Sequence, residues 1–178
     1  MQDTTTPQSS SARVALVLDA GGARSAYQVG ALEVLLPALA EHGARPRVLI
    51  GTSAGALLSG VLAATAHLEA DEQVARLRDV LGQATKRHVL RPLWRQVPDV
   101  LARYASETLG LSAFRLRGLF GTQPLARTLA RSIDWEALHR NVEEGFVETA
   151  AVTATSVRTG QVMMFTESTA PLPPPVPD

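Results

Sequence analysis

The pattern of apolar and polar positions along the chain predicts strands and helices in alternating order. Residues 13–18 are almost wholly apolar and run directly into Asp-Ala-Gly-Gly, as a buried parallel strand does where it ends in a loop. Apolar side chains then recur at helical spacing from about residue 24 to 41, where His42-Gly43 is a stop signal. Pro37 is expected to disturb the last turn of this helix, because proline has no amide hydrogen to donate.

A second short strand, 48–50, leads into Gly51-Thr-Ser-Ala-Gly55 and then into an apolar helix that we expect to extend to about residue 68. Strand, loop, helix, strand, tight turn and helix in this order specify a right-handed crossover between parallel strands. The pattern therefore predicts a layered α/β fold, with a mainly parallel central sheet flanked by helices.

The second half of the chain predicts further helices and then a β-hairpin. In chain order we expect a polar amphipathic helix over 71–86 and a less regular helix over about 91–108. A third helix, capped by Thr122, is expected from Pro124 to 132, and a fourth begins at Asp134 and ends before Gly145. Strands are expected over 146–157 and 161–166, joined by a turn at Arg158-Thr-Gly160. The polar residues 1–12 and the Pro-rich residues 170–178 are predicted to be tails. One domain remains, over 13–169.

Composition narrows the class of protein. A chain of 178 residues suits one domain with its own core. It has no cysteine, which excludes cysteine nucleophiles, zinc ribbons and iron–sulfur clusters. Seventeen basic and seventeen acidic residues are spread along the chain, so a nucleic-acid partner is disfavoured. With no signal-peptide pattern and no apolar run that could cross a bilayer, we expect a soluble, cytoplasmic protein, with contact at a membrane surface left open.

Ser53 lies at the tip of the strand-to-helix turn and is the candidate nucleophile. A G-x-S-x-G turn of this kind, here Gly51 to Gly55, is called a nucleophile elbow. Its flanking glycines, Gly51 and Gly55, let neighbouring backbone pass closely, and the serine hydroxyl is lifted above the end of the sheet. Such a corner suits a covalent serine intermediate. Five residues alone fit a plain strand-turn-helix as well, so the interpretation depends on the rest of the chain.

The glycine-rich loop Asp19-Ala-Gly-Gly-Ala-Arg24 predicts an oxyanion hole. The amides of Gly21 and Gly22 can face the site, the next helix adds its positive end, and loop and elbow both leave the carboxyl ends of parallel strands. A phosphate cradle is disfavoured, since the next glycine is Gly30 and the spacing is not G-x-G-x-x-G. Arg24 either supports the loop, attracts an anionic head group or pairs with a helix-end carboxylate.

Taken together, these segments resemble the patatin-like phospholipases. The run from Leu18 to Leu32 is similar to that family's glycine-rich loop and first helix, and Gly51-Thr-Ser-Ala-Gly55 falls where the family has its nucleophile. Residues 116–124 and 152–165 look like its middle and late segments, so the resemblance covers about 13–166.

The resemblance implies hydrolysis of a lipid or other acyl ester through an acyl-enzyme, without metal or cofactor, on a three-layer α/β fold. The residues to which it gives roles are the nucleophile Ser53 and the oxyanion-hole amides of Gly21, Gly22 and Ala23. The implied partner is a lipid or acyl-ester substrate.

Three departures from the family pattern affect these expectations. Ala20 replaces a third glycine, which leaves the backbone unchanged if its φ is negative, and Ser25 replaces the glycine after Arg24, where it can cap or contact the loop. The family activates its serine with an aspartate from an Asp-Gly-Gly or Asp-Gly-Ala motif, and these 178 residues contain no Asp-Gly. We therefore expect little turnover from the chain itself.

No other side chain is an obvious substitute for that aspartate. The later aspartates are predicted at exposed, capping or terminal positions and the histidines at helix ends or on amphipathic helices: Asp71, Asp79, Asp99, Asp134, Asp178, His42, His67, His88 and His139. Trp94 and Trp135 can contact lipid or belong to the core, and the core is favoured because isolated tryptophans on such helices are more often buried.

Two interpretations stay open at this point. One is a domain without its last third, which leaves an open sheet edge at its C-terminal side. The other is a natural short form, which either is inactive and binds lipid or a partner protein, or borrows a base from a second chain. What the gene encodes beyond Asp178 distinguishes them, and the sequence leaves the oligomeric state open.

Overall fold

The computed structural model describes residues 13–83 and 130–171, which contain a four-stranded sheet. Its strands lie in the order β1 (Val14–Leu18), β2 (Pro46–Thr52), β3 (Thr149–Thr155) and β4 (Val162–Ser168). The first three strands are parallel, and β4 returns antiparallel to β3 as a hairpin. The mainly parallel sheet expected from the sequence is confirmed.

Helices connect the parallel strands. α1 (Ser25–Glu41) joins β1 to β2 and follows a single 3-10 turn, Gly22–Arg24. Within the described residues, three helices lie between β2 and β3: α2 (Ala54–Ala64), α3 (Ala70–Gln83) and α4 (Trp135–Glu143). None of these four helices has the length and apolar character needed to cross a membrane. The predicted α/β class, with helices flanking the sheet, is confirmed.

The helices share a core with one face of the sheet. Leu18 and Leu49 of the strands are buried in the same cluster as Leu58 and Leu62 of α2. Successive strand residues point to opposite faces, and Val17, beside Leu18, is 71% exposed on the other face. The described helices therefore cover one face, and a layer over the other face stays a prediction.

Helix α1 ends as its sequence predicts. It continues through Pro37 to Glu41, and Gly43 then adopts a φ of 66°. The Gly43 N–H donates to the carbonyl of Ala40, and the Ala44 N–H donates to the carbonyl of Leu39, both at 2.9 Å. These two bonds form a Schellman motif, in which a left-handed glycine satisfies carbonyls left over at the end of a helix.

The end of one helix and the start of one strand differ from the prediction. α2 ends at Ala64 rather than near residue 68, and the Thr65 hydroxyl there donates to the Val61 carbonyl at 2.8 Å. β3 begins at Thr149 rather than 146, because the amide of Val147 first donates to the Asn141 carbonyl in the turn that follows α4. The predictions for 84–129, which include the helix over 91–108 and the Thr122 cap, and those for 172–178 lie outside the described residues.

Trp135 is not a core residue, contrary to the expectation from its sequence. Its side chain is 47% exposed. Trp135 begins α4, and the buried face of that helix is formed instead by Ala137, Leu138, Asn141 and Val142. The helical position thus turns the indole away from the core. Trp94 lies outside the described residues.

An exposed ion pair links α1 with α3. Arg78 Nε donates to Glu33 Oε1 at 2.5 Å, and this hydrogen bond holds the pKa of the Glu33 carboxyl below its ordinary value. Because the pair faces solvent, its attraction is largely screened. The junction of these helices depends more on their buried leucines, such as Leu36 and Leu77.

Asn141 is a fully buried polar link between α4 and the end of α2. Its Nδ2 donates to the carbonyl oxygens of Ala63 at 2.8 Å and Ala64 at 3.0 Å, and its Oδ1 lies 2.9 Å from Nδ1 of His67. The last carbonyls of a helix have no partner within it. One side chain therefore satisfies two of them at a place that water does not reach.

We expect Asn141→Leu to lower the free energy of unfolding by about 2–6 kcal/mol, because two buried carbonyls lose the Nδ2 donor of Asn141 at about 1–3 kcal/mol each. The Ala63 carbonyl keeps the long bond of 3.4 Å from the N–H of Ala66, which places the expected value in the lower half of that range. Urea denaturation followed by circular dichroism measures the change. Arg140→Leu, at the exposed neighbouring position, is the control and should stay within about 0.5 kcal/mol of the wild type. Equal stability of Asn141→Leu and the wild type would contradict this account.

Candidate active site

Ser53 occupies a strained corner between β2 and α2. Its φ of 54° and ψ of −119° lie where residues with side chains rarely occur, and no other non-glycine residue of the described chain has a positive φ. The side chain is exposed, and its hydroxyl caps no amide of α2. The Ser53 carbonyl accepts the N–H of Ala56 at 3.0 Å. The corner predicted from the sequence is present, and its hydroxyl is available at the carboxyl edge of the sheet.

The two glycines beside Ser53 are required by close backbone contacts. A Cβ on Gly51 would lie 2.5 Å from Cα of Ala56, in the first turn of α2. A Cβ on Gly55 would lie 2.6 Å from the carbonyl carbon of Leu18 and 2.7 Å from the carbonyl oxygen of Asp19. Carbon atoms cannot approach fixed backbone so closely, so only glycine fits both positions.

Gly55 brings the elbow against the glycine-rich loop. Leu18 is the last residue of β1 and Asp19 opens the loop, so the first turn of α2 packs directly on the loop's entry. The parallel pairing of β1 with β2 places Leu18 opposite Gly51. Loop and elbow therefore meet at one edge of the sheet, as the sequence predicts.

Side chains from α1 hold the loop in shape. Nε2 of Gln28 donates to the Asp19 carbonyl, and the Ser25 hydroxyl donates to the Gly22 carbonyl, both at 2.8 Å. Oδ1 of Asp19 accepts the N–H of Ala20 at 2.6 Å. Ser25 thus contacts the loop, which was one of its two expected roles. Gln28 was missed at the sequence level, and its position about one turn after the loop is the only signal that could have indicated it.

The amides expected to form the oxyanion hole are not used within the loop. Among hydrogen bonds between described residues, none has the N–H of Gly21, Gly22 or Ala23 as its donor. Gly22 has a φ of 51°, a conformation that favours glycine, whereas the φ of Ala20 is not positive. Alanine at position 20 is therefore compatible with the loop.

Arg24 lies at the start of α1 with its side chain exposed. Its guanidinium makes no hydrogen bond or ion pair with any residue of 13–83 or 130–171. The expected alternative in which Arg24 pairs with a helix-end carboxylate thus has no partner in that part of the chain. The cation faces solvent beside the loop.

The described histidines do not lie at the edge that holds Ser53. His42 and His67 follow the last turns of α1 and α2, whereas the loop and Ser53 lie at the first turns of those helices. α2 has 11 residues and is about 16 Å long. Nδ1 of His139 lies 2.7 Å from Oε1 of Glu167, near the end of β4 away from the hairpin turn.

The described aspartates that follow the elbow in the chain also have positions that do not suit a base for Ser53. Asp71 and Asp79 are exposed on α3, and Asp134 caps α4 by accepting the N–H of Ala137 at 3.0 Å. Asp79 and Asp134 line a cavity of about 390 Å³ together with His67, at the end of α2 away from Ser53. No cluster of three or more possible metal ligands occurs in the described ranges. His88, Asp99 and Asp178 lie outside them.

We expect Gly55→Ala to destabilise the domain by about 2–3 kcal/mol, because the added methyl group collides with backbone of β1 and the loop that cannot rotate away. Gly30→Ala is the matched control, since a Cβ at this exposed position of α1 meets no atom within 4 Å. That change should stabilise by about 0.5–1 kcal/mol. Urea unfolding of both variants measures the contrast, and equal effects would rule out the close contact.

The comparisons with known proteins agree with this geometry. The family model described as patatin-like phospholipase matches residues 16–173, a range that includes the loop, the elbow and all four strands except the first two residues of β1. No curated protein and no solved structure matches the chain. The matched range is well over half of the sequence. The chain therefore belongs to the patatin-like phospholipase family.

Proposed function

We propose that the domain is a lipid acyl hydrolase in which Ser53 is the nucleophile and the amides of Gly21, Gly22 and Ala23 form the oxyanion hole. The family supports lipid acyl hydrolysis in general. The observation that carries the residue assignment is the φ of 54° at Ser53, held between two glycines that no other residue can replace. Strained backbone of this kind persists where the surroundings fix it and is concentrated at functional sites.

The chemistry follows from the arrangement of donors around Ser53. Oγ of Ser53 attacks the ester carbonyl carbon, and the C=O oxygen becomes an oxyanion. When the oxyanion collapses, the C–O bond to the alcohol part of the lipid breaks, and the alcohol leaves with the proton lost by the serine hydroxyl as the acyl-enzyme forms. Water then adds to the acyl carbonyl, the bond to Oγ breaks, and a proton from the water restores the serine as the fatty acid is released. The loop amides without an acceptor, together with the positive end of α1, suit the developing negative charge.

The proton of the serine hydroxyl has no evident acceptor in the described chain. The histidines and later aspartates lie elsewhere, and the carboxylate of Asp19 accepts an amide of its own loop. Loss of a partner that activates the nucleophile costs about 10⁴-fold or more in rate. We therefore propose that these 178 residues hold the nucleophile and the oxyanion donors of the reaction but turn over slowly.

The lack of a base for Ser53 among the described residues favours one alternative function. A domain that keeps the site but lacks a base can still bind an acyl ester, which is the behaviour of a lipid-binding module. The two functions differ in turnover and not in binding, so kinetic measurements on the chain separate them.

We expect a fluorophosphonate probe to label the chain slowly at Ser53, because the donors around the hydroxyl still stabilise the attacked centre without a base. Mass spectrometry of the labelled protein locates the adduct. Ser53→Ala should abolish labelling.

The matched control is Ser59→Ala. This serine is buried in α2, six residues after Ser53, and its hydroxyl has no hydrogen-bond partner, so its removal should leave labelling unchanged. An adduct on any other residue, or labelling that survives Ser53→Ala, would reject Ser53 as the nucleophile.

We expect the chain to hydrolyse p-nitrophenyl butyrate with a kcat about 10⁴-fold below that of a patatin-like enzyme containing the Asp-Gly motif, since general-base activation is missing. Steady-state kinetics on both proteins, with Ser53→Ala as the blank, measure the ratio. Fast hydrolysis that Ser53→Ala removes would show that a base is present after all.

A further inference from the structure

The hairpin of β3 and β4 extends past the edge of the sheet that holds Ser53. Thr52, the last residue of β2, lies opposite Thr153, and their hydroxyl oxygens are 2.7 Å apart. β3 continues for two more residues, or about 7 Å, before the turn. Since Ser53 follows Thr52 directly, the end of the hairpin projects beyond the candidate active site.

Residues 155–165 are here called the hairpin tip. Residues 155–163 project past Thr52, whereas Met164 and Phe165 lie level with Thr52 and Gly51, opposite Thr153 and Val152. The hairpin tip exposes a large amount of apolar surface. Its five large apolar side chains are all at least 46% exposed, and that of Val157 is completely exposed: Val157, Val162, Met163, Met164 and Phe165. Alternation along β4 places Met163 and Phe165 on one face and Val162 and Met164 on the other. A hairpin in water ordinarily confines its large apolar side chains to one face, whereas β4 exposes them on both faces, with Thr153 and Thr155 opposite Met164 and Val162 on one of them.

Polarity changes along β4 in the direction that leads away from the tip. The strand begins with the four apolar residues of 162–165 and ends with Thr166, Glu167 and Ser168. The apolar end reaches from the level of Gly51 to beyond Thr52. The polar end lies within the body of the domain, where Glu167 pairs with His139. Such a gradient fits an element that enters an apolar medium by its tip.

The backbone of the turn is already hydrogen-bonded internally. The Ser156 N–H donates to the Gln161 carbonyl at 2.9 Å, and the Gly160 N–H donates to the Ser156 carbonyl at 2.8 Å. The Ser156 hydroxyl oxygen also accepts the N–H of Thr159 at 3.2 Å. A segment that leaves water must satisfy its polar backbone groups itself, so these bonds lower the cost of entry into a lipid interface.

Charged and aromatic side chains accompany the apolar ones at this edge. Arg158 is exposed in the turn beside Val157, and Arg24 is exposed beside the glycine-rich loop. Tyr27, in the first turn of α1, is also exposed. Apolar side chains bordered by arginine and tyrosine are the composition of segments that bind at the headgroup level of a membrane, where cations attract anionic lipids.

We propose that the hairpin tip inserts into the headgroup region of a phospholipid surface and so holds the Ser53 edge against the lipid. The occupant is a lipid surface because the tip is continuous with the edge where an acyl ester would react, a reason that rests on the proposed function. The polar end of β4 sets the depth, since Glu167 and Ser168 stay outside the lipid.

The absence of cysteine from the chain makes a site-specific test possible. Val157→Cys is labelled with the environment-sensitive fluorophore NBD, in a Ser53→Ala background that leaves the lipid intact. The control is Val34→Cys, an apolar position of α1 that is 74% exposed. With vesicles of phosphatidylcholine and phosphatidylglycerol, we expect a severalfold rise and a blue shift in emission at position 157 and no change at 34.

A second measurement tests whether the apolar side chains provide the binding. The double variant Val157→Glu/Met163→Glu should lower the vesicle partition coefficient by more than about tenfold, because two carboxylates must enter the interface. Val34→Glu should change it by less than about twofold. Circular dichroism verifies that each variant is folded.

Three results would overturn the proposal. They are no binding to the vesicles, an unchanged emission at position 157 in bound protein, and a partition coefficient that falls equally with Val34→Glu and with the double variant at the hairpin tip. A lipid-free dimer that the double variant dissociates would also overturn it, because the tip would then be covered by a second copy. Since binding is measured without turnover, a failure of Ser53 as nucleophile leaves this test unaffected.

Discussion

The close contact between Gly55 and the end of β1 is the constraint on which the candidate site depends. Because Gly55 has no Cβ, the first turn of α2 rests on the backbone of Leu18 and Asp19. The same contact fixes two features that are far apart in the sequence, the serine corner that precedes α2 and the glycine-rich loop that follows β1. A helix displaced by the width of one methyl group would move Ser53 away from the loop amides proposed as oxyanion donors, and displacements of about 1 Å already matter greatly for such chemistry.

α2 keeps this position because it is held at both ends and along its length. Gly55 fixes its first turn, Leu58 and Leu62 bury its apolar face, and Asn141 holds the carbonyls of its last turn. The backbone of Ser53 stores about 1–3 kcal/mol of strain, which a loosely packed helix would release by shifting. The buried contacts of α2 therefore maintain the strained corner as well as the fold.

The sequence predicts the elements that have local signals and misses contacts that arise from packing. Gly43 and Asp134 are recognisable caps, and the glycine pair around Ser53 indicates the corner. The early end of α2 and the exposure of Trp135 depend on which helix face meets the core, which short-range periodicity does not fix. Gln28 and Asn141 are ordinary helical polar residues in the sequence, and only the folded chain brings them to the carbonyls they satisfy.

The proposed nucleophile and the proposed oxyanion donors both come from the first 53 residues, at the ends of the paired strands β1 and β2. The hairpin tip comes from the last part of the described chain. Parallel pairing of β2 with β3 brings these parts to one edge without any contact between their side chains being needed. The residues proposed to contact lipid thus lie within the described chain, whereas no proton acceptor for Ser53 is found there. The two proposals, lipid binding and turnover, therefore depend on different residues that share only the sheet, and each can be tested without the other.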